Sequence, residues 1–328
     1  MKIVIDAFGG DNAPLEIIKG AALAQSEYGV DIILTGDEQT INNCINENNI
    51  TFKSLEIVHA PDVISMHDEP TSLLKAHKDS SMAVAFRLLA DGKADAFVSA
   101  GSTGAIVVGG TLIVKRIKGI KRPALGSMIP SPDSSYFLMD MGANAECRPE
   151  MLAQFGVMAS VYLEKVENRP NPTIGLLNIG TEDTKGGELQ QEAYKLLKEA
   201  PINFVGNVES REMPKGVVDG IVTDGFTGNI ALKLIEGTTI TMFKMLKKVF
   251  YKNIATKLAT LLLKGGIMKI KQKMDASEVG GAPLLGVSKP VIKAHGSSDA
   301  LAIKNAVRQA ISFAERDVIG TISANINL

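Results

Sequence analysis

The sequence predicts an α/β fold: a doubly wound, mostly parallel sheet with helices on both faces and a basic helical segment protruding from it. Three observations carry this. Apolar runs of strand length alternate with helical patterns along most of the chain, as in a sheet buried on both faces. Glycine-bearing polar loops follow many of the runs, as in short βα connections. No repeat, low-complexity tract or flexible linker divides the 328 residues, so one α/β domain over residues 1–328 is expected.

The elements follow in order. KIVID (Lys2–Asp6) reads as a buried strand, and Leu15–Tyr28 as a helix. DIILTG (Asp31–Gly36) is a second strand, followed by a polar helix over about Asp37–Asn48. LEIVHA (Leu55–Ala60) is a third strand, and a helix is predicted over Ser80–Leu89. DAFVSAG (Asp95–Gly101) gives a strand, and STGAIVVGGTLIV returns to helical character. ALGSMIP and YFLMDMG (Tyr136–Gly142) are strands, and Pro149–Glu167 is a helix. PTIGLLNIG (Pro172–Gly180) is a strand, Glu188–Glu199 a helix, and NFVGNV and GIVTDG (Gly220–Gly225) are strands. Gly228–Gly237 opens a helix, and Ser298–Asp317 closes the pattern with another.

Composition bounds the class. Hydrophobic content of 45% with 22% charged residues is ordinary for a globular chain. The two cysteines, Cys44 and Cys147, form no CxxC or Cys/His cluster, so no metal site is expected. The opening MKIVIDAFGGD lacks the apolar core of a secretory signal, and no run reaches the roughly 18 apolar residues of a membrane span. A cytoplasmic protein is expected. The net charge of −1 hides an asymmetry: between Glu236 and Asp275 stand nine lysines and no acidic residue. The rest of the chain therefore carries −10. Residues Val249–Ile270 mix these lysines with apolar residues at helical spacing. That predicts a basic amphipathic helix, or a hairpin broken at Gly265-Gly266, within a protrusion over about 238–274. Lys257, Leu258, Leu261, Leu262 and Lys264 are its candidate contacts with an anionic membrane or an acidic carrier protein. An apolar face buried in a dimer with lysines in solvent explains the same pattern. With no arginine and no aromatic stacking pattern there, nucleic acid is not expected.

In such folds ligands bind at the carboxyl ends of strands. Six loops there combine glycine with Ser, Thr, Asn or Asp: DAFGGDNAP, SAGSTGA, DMGANAE, NIGTEDTKGGE, TDGFTGN and KAHGSSD. Glycine allows close backbone approach, and helix N-termini favour anions. The same residue types also cap helices, so any one loop is equally explained by capping. Their expected convergence at one sheet edge favours a ligand. The candidates for phosphate or substrate binding are Asp6, Gly9, Gly10, Asp11, Ser102, Thr103, Gly104, Asn144, Thr227, Gly228 and His295. Lys185 is a cation at that edge, suited to phosphate as a point charge, although a solvated loop lysine is the commoner fate. Neither GxxxxGK[ST] nor GxGxxG occurs, so no nucleotide cofactor is expected. HExxH and GxSxG are also missing. Cys147 as a nucleophile is outweighed by packing, and His295 divides between a capping and a catalytic role.

Five motifs, DAFGGDNAP, SAGSTGA, MGANAE, NIGTEDTKGGEL and TDGFTGNIALK, stand in this order from Met1 to about Asp317. Together they strongly resemble bacterial phosphate acyltransferase, the acyl-acyl-carrier-protein:phosphate acyltransferase of phospholipid synthesis. Phe8 stands where that family has methionine, an apolar exchange. The resemblance implies transfer of a fatty acyl group from acyl carrier protein to inorganic phosphate, and a fold like that of phosphotransacetylases and isocitrate-type dehydrogenases. It implies a homodimer working without a cofactor at the inner face of the cell membrane, beside a glycerol-phosphate acyltransferase. It also points to Lys185 and Asn229 as active-site residues. The rival reading nearest to it is a small-acyl phosphotransacetylase using coenzyme A. A metal-dependent dehydrogenase and a membrane-surface scaffold are further alternatives.

Overall fold

A computed structural model describes residues 1–273 and 280–326. Its strands are β1 (Lys2–Asp6), β2 (Asp31–Gly36), β3 (Leu55–His59), β4 (Ala96–Ser99), β5 (Ala124–Pro130) and β6 (Ser135–Met139). β7 (Thr173–Asn178), β8 (Asn203–Glu209), β9 (Gly220–Val222), β10 (Ala282–Leu285) and β11 (Val291–Lys293) follow. They form one sheet in the order β3-β2-β1-β4-β11-β10-β5-β6-β9-β7-β8. Two blocks, β3-β2-β1-β4-β11 and β6-β9-β7-β8, are each internally parallel. Between them, β11–β10, β10–β5 and β5–β6 pair antiparallel. The parallel sheet expected from the apolar runs is therefore present, with a reversal at its centre.

The helices are α1 (Leu15–Tyr28), α2 (Glu38–Glu47), α3 (Ser81–Ala90), α4 (Thr103–Gly109), α5 (Pro149–Lys165) and α6 (Glu188–Glu199). α7 (Gly225–Phe250), α8 (Ile254–Lys273), α9 (Ala300–Glu315) and α10 (Val318–Asn325) complete them. Helices cover both faces of the sheet: residues of α1, α5 and α9 share one core with strand side chains, while α3 and α4 build another. Ile17 and Ile18 of α1 join Ile303 and Ala306 of α9 in the first core. Gly20 lets these two helices close on each other, since a side chain there would start 2.5 Å from the Ile303 Cβ. Phe137 of β6 stacks on Tyr162 of α5, with ring centroids 4.8 Å apart, and Tyr162 meets Phe313 of α9 edge-on.

Several boundaries differ from expectation. β10 and β11 are only four and three residues long, too short for a periodicity signal. The last predicted helix ends at Glu315, and Val318–Asn325 forms a separate one. The helix expected from Gly228 begins at Gly225, because Asp224 caps it: the Asp224 carboxylate accepts from the Thr227 N–H at 2.8 Å. The break expected at Gly265-Gly266 lies instead at residues 251–253, between α7 and α8, and α8 runs through both glycines.

Ala231, Leu232 and Ile235 of α7 pack on a third core containing Tyr136, Leu138 and Ile221. Beyond them none of the described residues up to Ile270 is buried. The side chains of Lys269, Lys271 and Lys273, and the end of the basic interval at Met274 and Asp275, lie outside the described residues.

Candidate active site

The loops that follow β1, β4 and β11 form one polar group. Asp6, the last residue of β1, is buried, and its carboxylate accepts from the Ser99 hydroxyl at 2.8 Å and the Phe8 N–H at 3.3 Å. The Ser99 oxygen in turn accepts from the Gly101 N–H at 3.0 Å. Burial pushes the Asp6 carboxyl above its ordinary range, against these bonds. Asp6 therefore shapes two loops rather than facing a ligand. Gly9 packs over this pair, where a Cβ would lie 2.6 Å from the Asp6 Oδ2. Gly10 adopts a φ of 102° and lies against Ala100 and the Gly296 carbonyl, to which the Asp11 N–H donates at 2.8 Å.

Ser102 precedes α4 without making a side-chain cap, and Gly104 lies under Pro70. His295 follows β11, and its Nδ1 accepts from the Ser297 N–H at 3.2 Å. Partial desolvation, then the nearby Lys233 charge, lower the His295 pKa. The neutral ring thus carries its proton on Nε2.

The second group follows β6 and β9. Asp140 is fully buried, and its two oxygens accept from the backbone N–H groups of Leu125, Gly142, Ala143 and Asn144 and from the Asn144 side chain. Burial raises its pKa while those bonds oppose the rise. The Asn144 amide nitrogen also donates to the Pro123 carbonyl at 2.8 Å, and the Asn144 carbonyl accepts from the Gly225 N–H at 2.8 Å. Asn144 is thereby committed to the loop. Thr227 bonds Asp224 through both its N–H and its hydroxyl.

The Gly228 N–H donates to the Asp224 carbonyl at 2.9 Å, so it is not a free donor for an anion. The anion at the start of α7 is the chain's own Asp224. Asn229 differs: it is exposed, and its side chain makes no hydrogen bond among the described residues. It lies beside Gly142, where a Cβ would be 3.7 Å from the Asn229 Oδ1. Cys147 donates weakly to the Asn144 carbonyl, and burial pushes its thiol up to about 12, which leaves no nucleophilic thiolate at neutral pH.

Lys185 stands on a third loop, after β7. Asn178 holds that loop by donating to the Lys185 carbonyl at 3.1 Å, and Asn207 by donating to the Glu182 carbonyl at 2.6 Å. The Lys185 stem crosses Gly180, and its ammonium is half-exposed, 3.8 Å from the Glu182 carboxylate. No described hydrogen bond or ion pair joins it to either group.

The loops expected along one sheet edge come instead from two blocks of opposite direction. Three successive antiparallel pairings turn β6, β9 and β7 opposite to β1, β4 and β11. Their chains therefore run in opposite directions, but the register through β10 and β5 sets Met139, the last residue of β6, level with Ile292 of β11, so the carboxyl ends of both blocks open at the middle of the sheet. What links the groups is α7. Its first turn carries Thr227 and Asn229 at the second group, while Lys233 and Glu236 lie close enough to act on His295 electrostatically. One helical turn, about 6 Å, separates Asn229 from Lys233.

Two residues stand in motifs quoted from the sequence, KAHGSSD and TDGFTGNIALK, without having been singled out as candidates. Lys293 ends β11, and Lys233 of α7 lies close enough to act on it electrostatically. The available signal was a lysine closing the apolar triplet before AHGSSD, but three residues are too few to mark a strand. Lys257, Leu258, Leu261, Leu262 and Lys264 all lie exposed on α8. No group of His, Cys, Asp and Glu among the described residues could hold a metal ion.

The whole chain has close relatives. A family model described as "Fatty acid synthesis protein" matches residues 1–321. A phosphate acyltransferase of Alkaliphilus oremlandii is 50% identical over 327 residues, covering 100% of this chain and 98% of the relative. Relatives of the same name from Bacillus cereus, at 47% over 99% of this chain and 98% of the relative, and Clostridioides difficile, at 45% over 100% and 96%, agree. Among solved structures, a phosphotransacetylase from Streptococcus pyogenes superposes with a TM-score of 0.66, covering 96% of this chain and 94% of that one at 19% identity. A branched-chain phosphotransacylase from Enterococcus faecalis gives 0.59 over 96% and 100% at 16% identity. At such identities these two structures establish the shared α/β fold alone.

Proposed function

The chain belongs to the phosphate acyltransferase family, and from that premise we propose that it transfers a fatty acyl group from the thioester of acyl carrier protein to inorganic phosphate, giving acyl phosphate. The observation that carries this reading is identity of 45–50% to phosphate acyltransferases over essentially the whole chain. The strand-end geometry supports it in kind.

A phosphate oxygen attacks the thioester carbonyl carbon, the carbon–sulfur bond breaks, and the sulfur leaves with the proton that hydrogen phosphate gives up. Phosphate is itself the nucleophile, so the protein must mainly position two reactants and stabilise the oxyanion between them. Lys185 supplies positive charge against the phosphate. Asn229, whose amide has no partner within the chain, donates to phosphate or to the oxyanion. Asp6, Asp140 and Asp224 do not touch substrate in this scheme; they hold the loops that do. Gly9, Gly10, Ser102, Thr103, Gly104 and His295 line the approach from the other block.

The exposed apolar residues and lysines of α7 and α8 form the surface for partners in this proposal: acidic acyl carrier protein, anionic lipid at the inner face of the membrane, or a second copy in a homodimer. Acyl phosphate would pass from there to a glycerol-phosphate acyltransferase. No helix of the described residues is long and apolar enough to cross a membrane.

The test is phosphate-dependent loss of thioester, measured with long-chain acyl carrier protein and with acetyl coenzyme A. Acyl phosphate formed from the first and not the second supports the proposal. The reverse result favours a small-acyl phosphotransacetylase, the activity named for solved chains of the same fold.

A further inference from the structure

Lys293 is a partly buried cation without a counter-ion. Its ammonium reaches the carbonyls of Ala294 and, at 3.5 Å, Ala100. No carboxylate lies within ion-pair distance of it among the described residues. Its charged neighbours are Asp11, which favours the ammonium, and Lys233, which opposes it. Lys233 is already paired with Glu236 at 2.8 Å. His295, two residues on, presents a neutral ring with the proton on Nε2 and feels the same Lys233, Glu236, Lys293 and Asp11 charges. Gly10 packs on the Ala100 carbonyl that Lys293 reaches. Asp11 and Lys233 thus both act on Lys293 here, and among the described residues Lys293 is the cation of the set that makes no direct ion pair. Burying an ammonium this way is costly unless an anion joins it. Burial pushes its pKa down to about 8, with Asp11 opposing the fall and Lys233 adding to it.

We propose that Lys293 is a further substrate-binding residue: its ammonium, with the Nε2–H of His295, takes the inorganic phosphate acceptor at the junction of β11 and α7. The role rests on the acyl-transfer reading for its chemistry, but the binding of phosphate does not. A hydrogen phosphate dianion is best held by more than one donor, and Lys233, which acts on both Lys293 and His295, stands one helical turn along α7 from Asn229. The acceptor would therefore enter from the β1–β4–β11 block and meet the thioester over the β6–β9 block.

The experiment titrates inorganic phosphate into the full chain by calorimetry, for the wild type, Lys293→Met and Lys293→Arg, and pairs this with steady-state kinetics. Removing a charged donor is expected to weaken phosphate binding and raise the KM for phosphate by about 10- to 100-fold in Lys293→Met. The KM for the acyl thioester should be unchanged and Lys293→Arg should recover part of the loss. Thermal melts check that both variants fold. Unaltered phosphate affinity in a folded Lys293→Met overturns the proposal. So does a rise confined to the KM for the thioester, which would mean that Lys293 meets the phosphodiester of the donor's prosthetic arm. Because the calorimetry uses no thioester, a chain that binds phosphate through Lys293 yet transfers no acyl group would sink the activity and leave this site standing.

Discussion

A methyl group on Gly228 would lie 1.9 Å from the carbonyl oxygen of Asp140. The first turn of α7 and the loop after β6 therefore touch backbone to backbone, and that contact sets where Asn229 stands. Gly228→Ala must push the helix off the loop. It should destabilise the fold by roughly 1–3 kcal/mol and lower acyl transfer by displacing Asn229. Gly237→Ala is the control: no heavy atom lies within 4 Å of its would-be Cβ. On an exposed helix that change should stabilise by about 0.5–1 kcal/mol. Urea midpoints of the two variants should move in opposite directions.

Lys185 and Asn229 are exposed and contribute little to packing. Lys185→Ala and Asn229→Ala should each keep the melting temperature and lose about 100- to 1000-fold in turnover, as loss of a transition-state donor does. Near-full acyl phosphate synthesis in either variant would remove that residue from the site. Glu182→Gln, which frees the Lys185 ammonium from its 3.8 Å ion pair, should leave stability unchanged.

The pH dependence of stability has a sign that Lys293 fixes. Its folded pKa is pushed by burial from 10.5 down to about 8. Between those values the unfolded chain holds a proton that the folded chain has released, so this group makes stability rise with pH across that window. Below about pH 8 the cost of the buried ammonium is fully present. Lys293→Met lacks that cost. Its stability advantage over the wild type should be largest near pH 7 and shrink toward pH 10, read as the difference between their urea midpoints at each pH.

For the surface of α8, changing Leu258 and Leu261 to Glu together places two charges among exposed apolar side chains without touching a buried one. Flotation with vesicles of anionic phospholipid should fall several-fold from burial lost and charge reversed, while the melting temperature holds. Unchanged flotation leaves the acidic carrier protein or a second copy as the occupant of this face.

Much of the fold was legible because buried parallel strands carry long apolar runs. KIVID, DIILTG and TIGLLN became β1, β2 and β7, and the glycine-bearing loops after the first and last of these lie at their carboxyl ends. The central reversal was not legible. It depends on β10 and β11, whose seven residues are too few to show alternation, and strand direction leaves no mark on local composition. The same gap hid Lys293, which gains its meaning only as the last residue of β11. Capping chemistry was read correctly in type but not in place, since TDGFTGN offers both Asp224 and Thr227 as caps and only packing against Asn144 selects Asp224. The break between α7 and α8 was misplaced for a related reason. Gly265 and Gly266 look like a hinge, but with nothing packed against them they remain in helix.

β4 and β5 are joined only through β11 and β10, strands drawn from residues 282–293. A ribosome must therefore deliver almost the entire chain before the two halves share a sheet. Until then β4 and β5 each present a bare hydrogen-bonding edge, the kind of surface that recruits the wrong partner during synthesis. The Asp11–Gly296 contact closes across the same late seam. A nascent or clipped chain lacking that hairpin also lacks Lys293, the last residue of β11.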